Sequence, residues 1–376
     1  MRKIQMVDLH SQYEKIKSEI DEAISDVIKS TAFIKGAKVG EFASELASYL
    51  DVKHVIPCGN GTDALQIAIM SLGLKPSDEI ICPDFTFIAS AEVIGLLGYR
   101  PVFVDVDYDS FNVTAKNIEQ AISIKTKAII PVHLFGQAAP MEAILEIAKK
   151  YDLYVIEDTA QAIGADYIFS DGRKQKLGTI GTIGCTSFFP SKNLGCYGDG
   201  GALFTNDDEL AERLKMIANH GMKVRYHHDI LGVNSRLDTI QAAILSTKLK
   251  YLDRYEQARQ KAAKKYDEAF EDIDDLVIPK KETFSTHVYH QYTLKVKNGK
   301  RDDLRTFLEQ NDIPSMVYYP VPLHKQKAFL PIARQGGALN ISETLAEQVL
   351  SLPMHTELDE EQQTYIICKV REFFNK

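Results

Sequence analysis

The stretch KAIIPVHLFGQAAPMEAILEIAKKYDLYVIED, Lys127 to Asp158, decides the fold. Two β-rich apolar runs, KAIIPVHL (127–134) and LYVIED (153–158), enclose the helix-like segment MEAILEIAKKYD (141–152). A helix between two strands is the connection that parallel strands require. The alternation continues outward on both sides. Further strands are expected at HVIPC (54–58), EIICP (79–83), PVFVDV (101–106), CTSFF (185–189) and GALFT (201–205), with helices such as TDALQIAIMSLGL between them. The prediction is an α/β fold with a mostly parallel seven-stranded sheet and helices on both faces. Residues 1–52 read as helices, and SDGRKQKLGTIGTIG (170–184) as a Gly-rich hairpin or loop.

From Asp238 to Phe270 the pattern is one long helical stretch. Beyond it come a strand in HQYTLKVK and helices in DDLRTFLEQN and EEQQTYIICKVREFF. We therefore expect a large domain over 1–249 and a smaller C-terminal α+β domain over 250–376. At 376 residues the chain exceeds the size at which single cores stop growing.

Lys and Arg total 44 against 52 Asp and Glu, a net charge of −8 with no basic block, which disfavours nucleic acid as a partner. Every apolar run is too short for a membrane span. The N-terminus MRKIQMVDLHSQYEKIKSEIDEAI turns amphipathic at once and does not read as a signal peptide. Five cysteines with no CxxC pair point to free thiols in a reducing cytoplasm. The histidines and cysteines are not spaced as ligand sets, so no metal is expected.

Three segments carry chemistry. GNGTDALQIAI (59–69) follows a strand and opens a helix, where glycines permit a tight turn and free N–H groups can hold a phosphate. Many α/β turns look like this without a ligand. LYVIED delivers Asp158 at a strand end, where it could bind metal, orient a ribose, hold a protonated ring nitrogen or simply cap a helix. In CTSFFPSKNLGCYGDGGALF, Lys192 lies between apolar FFP and NLG, where burial would lower its pKa and make it a nucleophile. A phosphate site, an Asp at a strand end and a buried Lys together match the needs of pyridoxal 5'-phosphate.

SFFPSKNLGCYGDGGA resembles the lysine motif of the DegT–StrS family of pyridoxal-phosphate nucleotide-sugar aminotransferases. FIKGAKVGEFASELASYL, GNGTDAL, DFTFIASAEVI, PVHLFGQAAPM, EDTAQAIGA, NSRLDTIQAAIL and YYPVPLH extend the likeness over nearly the full length. It implies the fold-type-I architecture of aspartate aminotransferase. By the same resemblance Lys192 is the Schiff-base lysine, Asp158 holds the ring nitrogen protonated and Gln161 sits beside the ring hydroxyl. Phe87 stacks on the ring face, unless it is ordinary core. Gly61, Thr62 and Ser187 hold the phosphate, and Asn234 reaches it from the second subunit of a homodimer with shared sites.

Family members that remove a hydroxyl carry His in place of the lysine, so Lys192 favours amino transfer. A non-catalytic regulator on the same fold is a second alternative, opposed by the joint presence of Lys192, Asp158, Gln161 and Ser187. The resemblance further implies L-glutamate as donor and a nucleotide sugar as acceptor, in surface polysaccharide or glycan synthesis. HGMKVRYHHDILGVNSRLDT (220–239) is most similar to members acting on a UDP-linked 2-acetamido-3-keto-glucuronic acid. A dTDP-3-keto-6-deoxyhexose and a 4-keto sugar are the alternatives. Arg236 then faces the sugar carboxylate, or else pairs with Asp238. Tyr318, Tyr319 and His324 line the sugar pocket.

Overall fold

A computed structural model describes residues 2–375. All seven expected strands form: His54–Cys58, Glu79–Pro83, Arg100–Val104, Thr126–Ile129, Tyr154–Asp158, Ile183–Ser187 and Gly201–Thr205. The sheet nevertheless has eight strands, which corrects the expected count of seven. The eighth is Arg334–Gln335, parallel to Arg100–Val104 at the sheet edge. Two residues carry no readable periodicity. This strand is held by a side chain: Arg334 grips Glu79 with Nε at 3.1 Å and Nη2 at 2.8 Å.

The strand order runs His54–Cys58, Gly201–Thr205, Ile183–Ser187, Tyr154–Asp158, Thr126–Ile129, Glu79–Pro83, Arg100–Val104, Arg334–Gln335. Only Gly201–Thr205 runs against its neighbours, so Cys58, Pro83, Asp158 and Ser187 all end at one edge. Side-chain alternation divides each strand between two cores. Ile81, Val102, Ile129 and Val155 pack with Met141 and Ile144 of the helix Met141–Tyr151. Ile80, Phe103, Ala128 and Ile156 pack with Leu65 and Ile67 of the helix Gly61–Ser71 on the other face. Being covered twice explains why these strands read as unbroken apolar runs.

Lys174–Lys176 of the Gly-rich stretch pairs with Asp166–Ile168 as an antiparallel hairpin. The long helical stretch is two helices, Thr239–Leu249 and Leu252–Phe270. They part where Lys248, buried, turns its Nζ onto the Gly195 carbonyl at 2.6 Å. Near the C-terminus Leu276–Val277, Tyr292–Val296 and Val349–Leu352 form a separate antiparallel sheet. Its core contains Tyr266, Phe270, Leu304, Leu308, Ile366 and Val370.

Candidate active site

At the edge where the parallel strands end, a cavity of about 810 Å³ opens. Its lining includes Gly61, Thr62, Phe87, Asp158, Gln161, Ser187, Lys192, Tyr318 and Tyr319, nine of the residues singled out in the sequence. Carboxyl ends of strands are where open α/β sheets bind ligands.

The floor is built by the glycine turn. Asn60 caps the helix Gly61–Ser71 by accepting from Asp63 N at 2.8 Å, which leaves the earlier N–H groups facing the cavity. Gly61 is required by close approach: a Cβ there would meet Ser187 Cβ at 2.7 Å. A helix N-terminus, the Thr62 and Ser187 hydroxyls and no acid on the turn but Asp63 suit a phosphate. The Asp63 carboxylate is engaged, accepting from Ser235 Oγ at 2.7 Å.

Strand alternation separates the two acids of LYVIED. Glu157 turns away from the cavity and is fully buried, accepting from the backbone N–H of Gly178, Ile180 and Gly181 and pairing with His133 Nε2 at 3.0 Å. Asp158 turns into it. Asp158 Oδ1 accepts from Ala160 N at 3.0 Å and Oδ2 from Ser90 Oγ at 2.8 Å. No helix starts at Asp158, so the capping alternative falls away.

Lys192 stands on an irregular loop fixed by Lys192 N to Phe189 O at 2.8 Å and Asn193 Nδ2 to Val288 O at 3.0 Å. Burial pushes its amine down to about 8, against a smaller opposing pull from Asp158. Lys192 lines the cavity, and a larger neutral fraction makes it a usable nucleophile. Phe87 is 54% exposed, on the cavity wall, with its ring centroid 6.2 Å from that of Tyr319. Ordinary core packing does not describe it; an apolar face left open in a cavity suits a planar ring. Gln161 accepts from Phe135 N at 2.8 Å and donates to the Tyr319 hydroxyl at 3.1 Å.

His324 is elsewhere. Its Nδ1 bonds Asp84 Oδ2 at 2.6 Å, its N–H donates to Asp84 Oδ1 at 2.8 Å, and Nε2 meets Glu343 Oε1 at 3.1 Å. It lies behind the wall, clamping the first residue of DFTF, and is not among the cavity-lining residues. The buried carboxyl of Asp84 is pushed up by burial, against the pull of these bonds.

Asn234 and Arg236 do not line this cavity either. Between them Ser235 is buried and accepts from Gly59 N at 2.9 Å, so the segment is fastened to the back of the glycine turn. Asn234 is exposed, and Arg236 lines a separate hollow with Lys35 and Lys223. Tyr226, His227 and His228 are exposed on the hairpin Met222–Val224 with His227–His228.

Four contributors escaped the sequence reading. Ser90 is the donor to Asp158 described above. Asn193 and His290 meet at 3.2 Å, joining the lysine loop to the cavity residue His290. Arg259, buried and without an acid partner among the described residues, donates to the carbonyls of Tyr289, His290 and Met354. No sequence signal distinguishes these from ordinary core or surface residues, because their partners lie about 30 to 100 positions away.

The floor, the half-buried lysine and the strand-end carboxylate define a pyridoxal-phosphate enzyme of the aminotransferase architecture. The chain belongs to the DegT/DnrJ/EryC1/StrS aminotransferase family, whose model matches residues 14–371. It is 48% identical over 373 residues to the pleiotropic regulatory protein of Geobacillus stearothermophilus, covering 99% of this chain and 98% of that one. To the UDP-2-acetamido-2-deoxy-3-oxo-D-glucuronate aminotransferase of Pseudomonas aeruginosa it is 46% identical over 356 residues, covering 95% and 96%. Among solved structures, ntda from Bacillus subtilis with bound cofactor PMP superposes with a TM-score of 0.89 at 30% identity, covering 100% of this chain and 86% of that one. The protein is a pyridoxal-phosphate-dependent sugar aminotransferase.

The residues fit that cofactor. Besides the Gly61–Ser187 cradle, Thr86 lines the cavity with its Oγ1 buried and, among the described residues, without a partner. When bound, pyridoxal phosphate supplies the electron sink that lets an amino group leave one carbon and join another. To such a group the cavity offers the helix N-terminus of its floor, the open face of Phe87, the Asp158 carboxylate and the Lys192 amine. Among the described residues no helix is long and apolar enough to cross a membrane.

Proposed function

We propose that this chain moves an amino group from L-glutamate to the C3 keto group of a UDP-linked 2-acetamido-3-keto-glucuronic acid. It would do so in the cytoplasm, for surface polysaccharide or glycan synthesis, as a homodimer with two shared sites. Lys192 is the nucleophile and proton carrier, and Asp158 the partner of the ring nitrogen. Gln161 sits beside the ring hydroxyl and Phe87 on the ring face. Gly61, Thr62 and Ser187 take the phosphate, joined by Asn234 of the second subunit. Tyr318 and Tyr319 face the sugar, while His324 acts from behind by holding Asp84.

The observation that carries the sugar assignment is the state of Arg236. The alternative pairing with Asp238 is not formed, and among the described residues the guanidinium has no ion pair or hydrogen bond. A half-buried guanidinium left free beside an exposed Asn234 suits a carboxylate brought by a ligand in a partner's site. The 3-oxo-glucuronate named for the Pseudomonas relative carries such a carboxylate at C6.

Turnover of the keto-uronate and of its C6-neutral counterpart tests this. Arg236→Leu should damage the uronate reaction more, by roughly 2–5 kcal/mol, the cost of stranding a charge partner. Equal losses would make Arg236 structural, and a wild-type preference for the neutral sugar would favour a dTDP-3-keto-6-deoxyhexose. Shared sites are tested by mixing Lys192→Ala and Asn234→Asp homodimers. Subunit exchange should restore activity, and exchange without recovery would place both residues in one site.

A further inference from the structure

Asp158 has a partner that no motif announces. Ser90 lies in the first turn of the helix Ala89–Leu96, fully buried, three residues after Phe87. A helical serine commonly turns its hydroxyl back onto its own helix. Ser90 instead donates across to Asp158 Oδ2 at 2.8 Å, while Ala160 N supplies Oδ1 at 3.0 Å. Asp158 is only 5% exposed, so its orientation is fixed by these two donors, one on each oxygen. Each oxygen keeps a lone pair for one further donor.

We propose that Ser90 is a positioning residue that holds the Asp158 carboxylate aimed at the ring nitrogen of pyridoxal phosphate, so that this nitrogen retains its proton. This rests on the assignment of Asp158 to that nitrogen made above. A hydrogen bond to a carboxylate favours its charged form. With Ser90 in place, the proton between the carboxylate and the nitrogen stays on the nitrogen. Without it, the carboxylate is no longer held in place and the nitrogen holds its proton less firmly. The other ionisable groups facing Asp158 are Lys192, Tyr319 and Cys185. None of them is touched by changing Ser90.

The test uses the intact enzyme loaded with pyridoxal phosphate labelled with ¹⁵N in the ring, whose nitrogen resonance reports protonation directly. Wild type should show the protonated position. Ser90→Ala should move the resonance towards the unprotonated position and slow the glutamate half-reaction about tenfold, the scale of one charge-assisted hydrogen bond. Ser90→Cys, nearly the same size but a weaker donor, should fall between. Asp158→Asn should move it furthest. If Ser90→Ala leaves the resonance in place while Asp158→Asn shifts it, Ser90 is mere packing and the proposal fails alone. If Asp158→Asn leaves it unmoved as well, the assignment of Asp158 fails and takes Ser90 with it.

Discussion

Gln161 donates a hydrogen bond from Nε2 to the hydroxyl of Tyr319 at 3.1 Å, joining residues 158 positions apart. The amide orientation is fixed, because Phe135 N must donate to Oε1 on the other side. The loop after Asp158 and the C-terminal segment are thereby held as two sides of one cavity. Tyr319→Phe removes the acceptor and leaves the amide half-satisfied in a buried place. The loss should be about 1–2 kcal/mol, read as roughly tenfold weaker pyridoxal-phosphate binding in a spectroscopic titration. Unchanged affinity would mean that Gln161 finds its place without Tyr319.

The floor tolerates no side chain at Gly61. Ser187 Cβ lies 2.7 Å and its Cα 3.2 Å from where the new Cβ would stand, and a strand backbone does not step aside. Gly61→Ala should cost about 1–3 kcal/mol by overpacking, felt as faster cofactor loss on dialysis. Gly40→Ala, with nothing within 4 Å, is the control and should retain cofactor like wild type.

Lys192 should react as a lysine titrating near pH 8. Its amine is lowered to about 8 by burial, so the neutral form dominates above that pH. Covalent loading of the apoprotein, followed by the visible absorbance of the bound cofactor, should rise with pH and level off above about 8. An ordinary lysine would keep gaining towards pH 10. Lys192→Ala should abolish borohydride trapping and amino transfer while the protein still folds.

Acid should unfold the protein through histidines held neutral. Burial pushes His287 down to about 3, and burial aided by Arg259 pushes His355 down to about 4. In the unfolded chain both titrate near 6.5. Their folded pKa values are depressed, so between pH 6.5 and 4 the unfolded state binds protons that the folded state does not. Stability is therefore full above 6.5 and declines as the pH falls through that window. Denaturant titrations should show a shallower decline for His355→Gln than for wild type. Parallel declines would mean that His355 titrates normally.

The sequence by itself determined the seven strands and the alternating helices, and it singled out Lys192, Asp158 and the glycine turn as candidate site residues. Each depends on local pattern: apolar runs long enough to be buried on both faces, glycines in a turn, a lysine among apolar neighbours. Strand alternation sends Glu157 and Asp158 to opposite sides, and the tertiary structure makes Asp158 the one that lines the cavity. Tertiary structure alone decided the rest. Arg334–Gln335 is a strand because Glu79, 255 positions away, holds Arg334. His324, in a motif that suggested the sugar pocket, turns to Asp84 because a buried carboxylate needs its hydrogen bonds. Ser90 became a partner of Asp158 because two elements 68 residues apart meet beneath the cavity. Such pairings are set by the packing of distant elements, and a hydrogen bond between remote residues leaves no periodicity in the chain.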